Sequence, residues 1–325
     1  MTVSVIVPAY NIEKELPRCL DSLLAQSWTA LEIVVVNDGS SDGTGKVIDT
    51  YAVKDSRVIP VHKENGGVTS ARLAGIEAAT GELIGFVDGD DEVESGMYEM
   101  LVRELTEQQA DIAHCGYRFV FADGRTRLFH GTGQRMVMDW ETGLRELITG
   151  ARVEPTLCTK LYRRELLRSA LSSCPMDTTI KNYEDFLMNY WLFSKAERSV
   201  FYDVCPYHYL VRSTSASRAK LSRNRIFDPL KVKRMVCDHA PESLRADAIR
   251  SYVGLCMDTY NLILAEKGSK TDRREIRAML AAEKSAFSLL SRKRRIMGSL
   301  ILHAGGLYAA VYRLYKLIRP NSIYQ

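Results

Sequence analysis

From residue 3 to residue 88 the chain alternates between two kinds of hydrophobic pattern. The short runs VSVIV, LEIVVVN, RVIPV and ELIGFVD are rich in β-branched residues and apolar at successive positions. Between them EKELPRCLDSLLAQ, DGTGKVIDTYAV and VTSARLAGIEAA carry their apolar residues at the three- and four-residue steps of amphipathic helices. A strand that is apolar at every position is buried on both faces, so these runs predict a doubly wound α/β half whose parallel sheet lies between helices. Each run ends on polar or turn residues, PAYN, NDGS, HKENGG and DGDD. Ligands of open α/β sheets sit at those carboxyl ends, so four loops converge on one mouth.

Further along the pattern is mixed. A helix is predicted at MYEMLVREL, an alternating strand at ADIAHCGYRFVF, a hairpin around ADGRT and a helix starting at NYEDFLMNYWLF. From Asn224 onward LRADAIRSYVGLCMDTYNLILAEK and DRREIRAMLAAEKSAFSLLSRKRR read as helices with charges on one face. The expected division is therefore a catalytic domain at 1–220 and a helical C-terminal region at 221–325.

Composition narrows the classes. With 46% hydrophobic and 26% charged residues the chain is globular. A net charge of +4 is too small to point to nucleic acid. Seven cysteines, odd in number, scattered singly and never spaced C-x-x-C, indicate reduced thiols of a cytoplasm rather than zinc or a disulfide framework. MTVSVIVPAY lacks a positive n-region and reads as a first strand, not a signal peptide.

The chemistry concentrates in FVDGDDEV. An EF-hand register from Asp88 fails because Val93 stands where the turn glycine belongs. GSSDGTGKV misses the P-loop spacing, and no G-x-G-x-x-G follows the first strand. What remains is a carboxylate pair, Asp88 and Asp90, on a loop that Gly89 lets turn tightly. Such hard oxygen ligands suit Mg2+ or Mn2+, which share coordination with substrate phosphates. An Asp-rich turn capping the next helix explains the same residues.

VSVIVPAYN, VVVNDGSSDGT, ENGGVTSARLAGIEAATGELIGFVDGDD and NYEDF follow in this order and spacing. Together they closely resemble the family 2 glycosyltransferases of the GT-A fold, over roughly residues 3 to 215. CTKLYRREL and YHYLVRSTSAS resemble the bacterial branch that builds capsule, exopolysaccharide and lipopolysaccharide. The resemblance implies an inverting, metal-dependent transfer of a sugar from a nucleotide-sugar, UDP-linked, to a saccharide or lipid-linked saccharide.

It further implies that Pro8, Ala9 and Tyr10 border the nucleotide and that Asp38 hydrogen-bonds a uracil-like base, whose imide N–H suits a carboxylate. Arg72 would lie near base and diphosphate, with a structural salt bridge to Asp38 as the alternative; Leu73 stands where the family has asparagine. Asp88 would face the ribose or the metal shell, and Asp90 would ligate Mn2+ or Mg2+ on the diphosphate. Glu184 and Asp185 match the family's E-D pair, in which the aspartate is the general base; an acidic first helical turn would explain the charges alone. His208, Arg212 and Ser215 would close over the diphosphate. Lys160, Tyr183 and Trp191 are candidates for the acceptor side, where ordinary packing accounts for them equally well. A sugar nucleotidyltransferase, or a non-catalytic saccharide-binding protein on the same scaffold, are the competing functions.

In the tail, Met297, Leu300, Ala304, Leu307, Val311, Leu314 and Ile318 draw one apolar stripe down a helix. The uncharged run Ile296–Tyr312 is at the short limit for spanning a bilayer, and Gly305–Gly306 weakens it further. Arg292, Lys293, Arg294 and Arg295 precede it, and Arg313, Lys316 and Arg319 follow. The expectation is a helix lying on the cytoplasmic face of the cell membrane. Packing on the preceding helices, or a homodimer through them, would cover the same stripe.

Overall fold

A computed structural model describes residues 1–129, 131–212, 221–266 and 268–318. The chain divides into two compact units, Met1–Ala219 and Lys220–Gln325.

The first unit opens with β1 (Val3–Ala9), α1 (Leu16–Leu24), β2 (Leu31–Asp38), α2 (Thr44–Lys54), β3 (Val58–Lys63), α3 (Val68–Ala78) and β4 (Leu83–Phe86). These elements lie where the hydrophobic runs predict them. Val5, Ile6 and Val7 on β1 and Ile33 to Val36 on β2 have no exposed surface, as strands covered on both faces require. β3, β2, β1 and β4 pair in that order, all parallel.

There follow β5 (Glu92–Val93), α4 (Met97–Glu107), β6 (Ile112–Phe121), β7 (Thr126–Phe129), β8 (Arg135–Asp139), α5 (Trp140–Thr149), β9 (Lys160–Arg163), α6 (Arg164–Ser173), α7 (Glu184–Phe193) and β10 (Arg198–Val211). The sheet continues β4-β9-β6-β10-β5. β9 runs antiparallel between β4 and β6, while β10 lies parallel to β6. β7 closes the ADGRT hairpin on β6, and β8 adds to β10. The sheet is thus doubly wound and parallel through its first half, with antiparallel strands beyond β4. β10 shifts register between Tyr202 and Tyr207, and its outer half pairs with β5. That pairing ties the segment after DGDD to the far edge of the sheet.

The second unit comprises α8 (Arg223–His239), α9 (Glu242–Ala265), α10 (Lys270–Ala282), a 3-10 turn at Lys284–Leu289, α11 (Arg292–His303) and α12 (Gly305–Ile318). α9 is its axis: α8, α10, the 3-10 turn, α11 and α12 all pack on it. The continuous helix expected over DRREIRAMLAAEKSAFSLLSRKRR is interrupted, and Ser291 caps a fresh start by accepting from the Arg294 N–H. The single tail helix is likewise two. The break falls at Ala304 (φ −134°, ψ 38°), next to two glycines of poor helix propensity. Arg277 donates to the freed Leu302 carbonyl at 2.7 Å. Among the described residues no helix is long and apolar enough to cross a membrane.

Candidate active site

The four carboxyl-end loops do meet. β1 ends at Pro8 and Ala9, and Tyr10 beyond them is 51% exposed, a flat ring at the rim. Gly89 is pressed against this end: a Cβ there would stand 2.6 Å from Ile12 Cδ1 and 3.0 Å from the Pro8 carbonyl oxygen. The tight turn therefore holds the DGDD loop against the β1 loop.

Asp38, at the end of β2, is buried and well supplied with donors. Lys63 Nζ lies 2.7 Å from Oδ1, the Gly66 N–H donates to Oδ1 at 3.0 Å and the Gly67 N–H to Oδ2 at 2.8 Å. Asn65 donates to its carbonyl at 2.9 Å. Gly67 reaches this position at φ +85°, where a side chain would be strained. A uracil contact at Asp38 requires one of these donors to give way.

Arg72 on α3 is 5% exposed and does not pair with Asp38. Nη1 donates to Glu184 Oε1 at 2.9 Å and Nη2 to Asp88 Oδ1 at 3.2 Å, while among the described residues Nε has no partner. Burial disfavours its charge, but Asp88 and Glu184 outweigh that and raise its pKa. One guanidinium thus joins the DGDD loop to the first turn of α7.

That turn begins unusually. Tyr183 occupies the left-handed region at φ 71°, a strain that a non-glycine residue bears only where its surroundings enforce it. Its ring stacks on Phe186 at 5.0 Å, and burial pushes its hydroxyl up to about 12. Asp185 follows, half-buried; among the described residues its carboxylate accepts one hydrogen bond, from the Phe186 N–H at 2.7 Å. Burial, then the neighbouring Glu184, push its pKa up to about 7 against the opposing pull of Arg72. A carboxylate that titrates near neutrality with an unengaged oxygen is equipped to take a proton.

The three aspartates divide their work. Asp88 is held by Arg72 and receives Cys19 Sγ at its backbone carbonyl, 3.8 Å away. Asp90 pairs with Arg212, which also reaches Glu15 Oε1 at 2.9 Å. Asp91 points inward: it accepts from the Tyr207 hydroxyl at 2.6 Å and the Leu210 N–H at 2.9 Å, anchoring β10. Burial and Asp88 push its pKa up to about 7.

Two acceptor-side expectations are corrected. Lys160 has no exposed surface and donates to the carbonyls of Glu154 (2.7 Å) and Thr156 (2.5 Å), with burial lowering its pKa to about 8. Trp191 is 7% exposed, on the buried side of α7. Both hold the scaffold rather than face solvent. Tyr183, in the turn before α7, is partly exposed. His208, on β10 between β6 and β5, meets Glu94 at 3.2 Å, and Ser215 lies outside the described residues. Lys63 and Tyr207 were not singled out by the motifs, and Asp91 was read only as part of the Asp-rich turn. Lys63 had a signal in its place at the end of the third apolar run.

The model for Glycosyl transferase family 2 matches residues 4–171, just over half of the chain. The chain belongs to this family. The family that matches is one of glycosyl transferases, not of nucleotidyltransferases. EpsJ of Bacillus subtilis, an uncharacterised glycosyltransferase, is 39% identical over 210 residues, 64% of this chain and 60% of its own. The match spans 60 to 65% of the length of the first three curated relatives, less than two thirds. The solved S. aureus TarS 1–349 in complex with UDP-GlcNAc shares the fold (TM-score 0.73, 21% identity), covering 100% of this chain and 93% of that one. A mannosyltransferase from Pyrobaculum calidifontis, solved with GDP-Man and Mn2+, aligns at TM-score 0.56 and 19% identity over 97% of this chain and 87% of that one.

Proposed function

We propose that this family 2 glycosyltransferase moves one sugar from a UDP-linked donor, with inversion, onto a saccharide or lipid-linked saccharide in surface polysaccharide assembly. The observation that carries the reading is Arg72, which draws the DGDD loop and the Glu184–Asp185 turn to one mouth. The complex of TarS with UDP-GlcNAc supports a uridine donor.

Asp185 takes the proton of the acceptor hydroxyl as that oxygen attacks the anomeric carbon. The bond from that carbon to the diphosphate oxygen breaks on the opposite face, and the electron pair leaves with UDP. Inversion follows from a single in-line displacement. Arg212, at 25% side-chain exposure, can turn its fork from Asp90 to the diphosphate oxygens. Pro8, Ala9 and Tyr10 border the base, and Asp38 meets it if Lys63 or the Gly66–Gly67 N–H groups yield.

The carboxylates fit a divalent metal. Asp90 and the 37%-exposed Asp88 are hard oxygen donors on one turn; among the described residues no group of three His, Cys, Asp or Glu is placed to hold a metal by itself. Such a site suits Mn2+ or Mg2+ that completes its shell with phosphate oxygens. Bound there, the metal would supply positive charge that stabilises the departing diphosphate.

The tail belongs to the proposal. Ile296, Leu300, Leu307, Val311 and Leu314 are 39 to 65% exposed, and the run is flanked by Arg292, Lys293, Arg295 and Arg313. An amphipathic surface with cations at its edges suits the anionic inner face of a cell membrane. The same exposure would serve a homodimer.

A thermal-shift screen of UDP- and GDP-sugars with Mn2+ tests the donor. A ligand at 100 times its Kd stabilises by about 2.7 kcal/mol. A larger shift with GDP-sugars than with UDP-sugars would overturn the uridine assignment.

A further inference from the structure

With Lys160 and Trp191 buried, the surface that meets the acceptor must be sought elsewhere along the mouth. β6, β7 and β10 place an unusual set of rings on one face of the sheet. Their register puts Phe129, Tyr117 and Tyr207 side by side in one rung, and Arg127, Phe119 and Tyr209 in the next. Phe121 and Val211 form the third. Residues two apart on a strand share a face, so Tyr117, Phe119 and Phe121 point the same way.

The rings touch. Tyr117 stacks on Phe129 at 4.9 Å, Tyr209 meets Phe119 edge-on at 5.6 Å, and Phe119 and Phe121 lie 6.4 Å apart. Arg127 lies over the Phe119 ring at 4.9 Å. Tyr117, Phe119, Phe121, Phe129 and Tyr209 all keep exposed surface, although rings serving only the core would be covered.

The strip is continuous with the catalytic mouth. Its inner end is Tyr207, whose hydroxyl donates to Asp91 and receives the Asp88 N–H at 3.4 Å. At the third rung Val211 is followed directly by Arg212, the partner of Asp90. Ring centroids along β6 stand 5.2 Å (Tyr117–Phe119) and 6.4 Å (Phe119–Phe121) apart, on the scale of one hexopyranose unit. The C–H face of a pyranose is weakly positive and apolar, and it meets the negative face of an aromatic ring favourably.

We propose that this strip, centred on Phe119 and Tyr209, is the acceptor subsite and binds the sugar rings of a saccharide acceptor. The inference rests on the glycosyltransferase reading of the mouth and assigns the acceptor a path along the β6–β7–β10 face. Arg127 closes its outer side.

The test uses the full chain on an array of neutral and uronate-containing oligosaccharides, with UDP affinity measured in parallel by calorimetry. Wild type is expected to bind at least one oligosaccharide class. Phe119→Ala should weaken that binding about tenfold, the equivalent of roughly one lost aromatic contact, and leave UDP affinity unchanged. Phe119→Leu keeps apolar volume but removes the flat face; it should weaken glycan binding too, and guards against a variant that fails to fold. Unchanged glycan binding by a folded Phe119→Leu and by Tyr209→Leu, or no binding by wild type to any oligosaccharide, overturns the subsite. Loss of UDP binding by wild type would instead overturn the donor site, a separate outcome.

Discussion

Arg72 and Glu184 are 112 residues apart in sequence and 2.9 Å apart in space. The same guanidinium holds Asp88. Its charge favours the ionised form of Asp185, against burial and Glu184. Arg72→Met should therefore raise the Asp185 pKa. The ascending limb of the pH–rate profile, which rises as the base loses its proton, should move to higher pH and transfer should fall. An unmoved limb would show that Arg72 does not act on the base. Glu184→Gln removes the charge that raises Asp185 and should move the limb to lower pH.

Arg212 occupies Asp90 in the structure, so two positive groups compete for one carboxylate. Arg212→Ala is expected to tighten Mn2+ binding in the absence of nucleotide and to weaken UDP binding, both read by calorimetry. Mn2+ binding that is unchanged would show that the ion pair does not guard Asp90.

Asp91 anchors β10 beside the two carboxylates proposed to serve donor and metal. Asp91→Ala strands the buried Tyr207 hydroxyl and the Leu210 N–H, at a cost of about 1–3 kcal/mol. Urea unfolding should show that loss. Asp91→Asn, which keeps one acceptor oxygen, should show less. Equal stability of Asp91→Ala and wild type would contradict the anchor.

The first sheet half was legible because β1, β2 and β4 are buried on both faces, and such burial writes itself as an unbroken apolar run. β9 was not: a four-residue strand between two others leaves no period to read. DGDD was visible as a cluster, yet the division of its aspartates was not. Asp91 earns its role from Tyr207, which arrives 116 residues later. Local periodicity reports which face is apolar but not which distant side chain meets it, so Arg72 could be placed near the site only in general and Lys160 was set at the acceptor side when it lies in the core. The tail stripe predicted one helix where there are two, and the break at Ala304 came from two glycines whose weak propensity a stripe does not register.

The exposed stripe of α11 and α12 predicts co-sedimentation with anionic liposomes that weakens at high salt. A chain ending at Ser291 should lose it. If both proteins sediment equally, the tail is not the anchor; if neither does and the full chain alone is a dimer by light scattering, a second subunit covers the stripe.

The stereochemical outcome tests the account most directly. Wild type would be incubated with UDP-α-hexoses and Mn2+, with water as the slow acceptor, and the first sugar released followed by proton NMR. Inversion through Asp185 predicts that the β anomer appears first, and that Asp185→Asn lowers its rate by about 10²-fold or more. An α anomer released first, or an Asp185→Asn protein as fast as wild type, would contradict it.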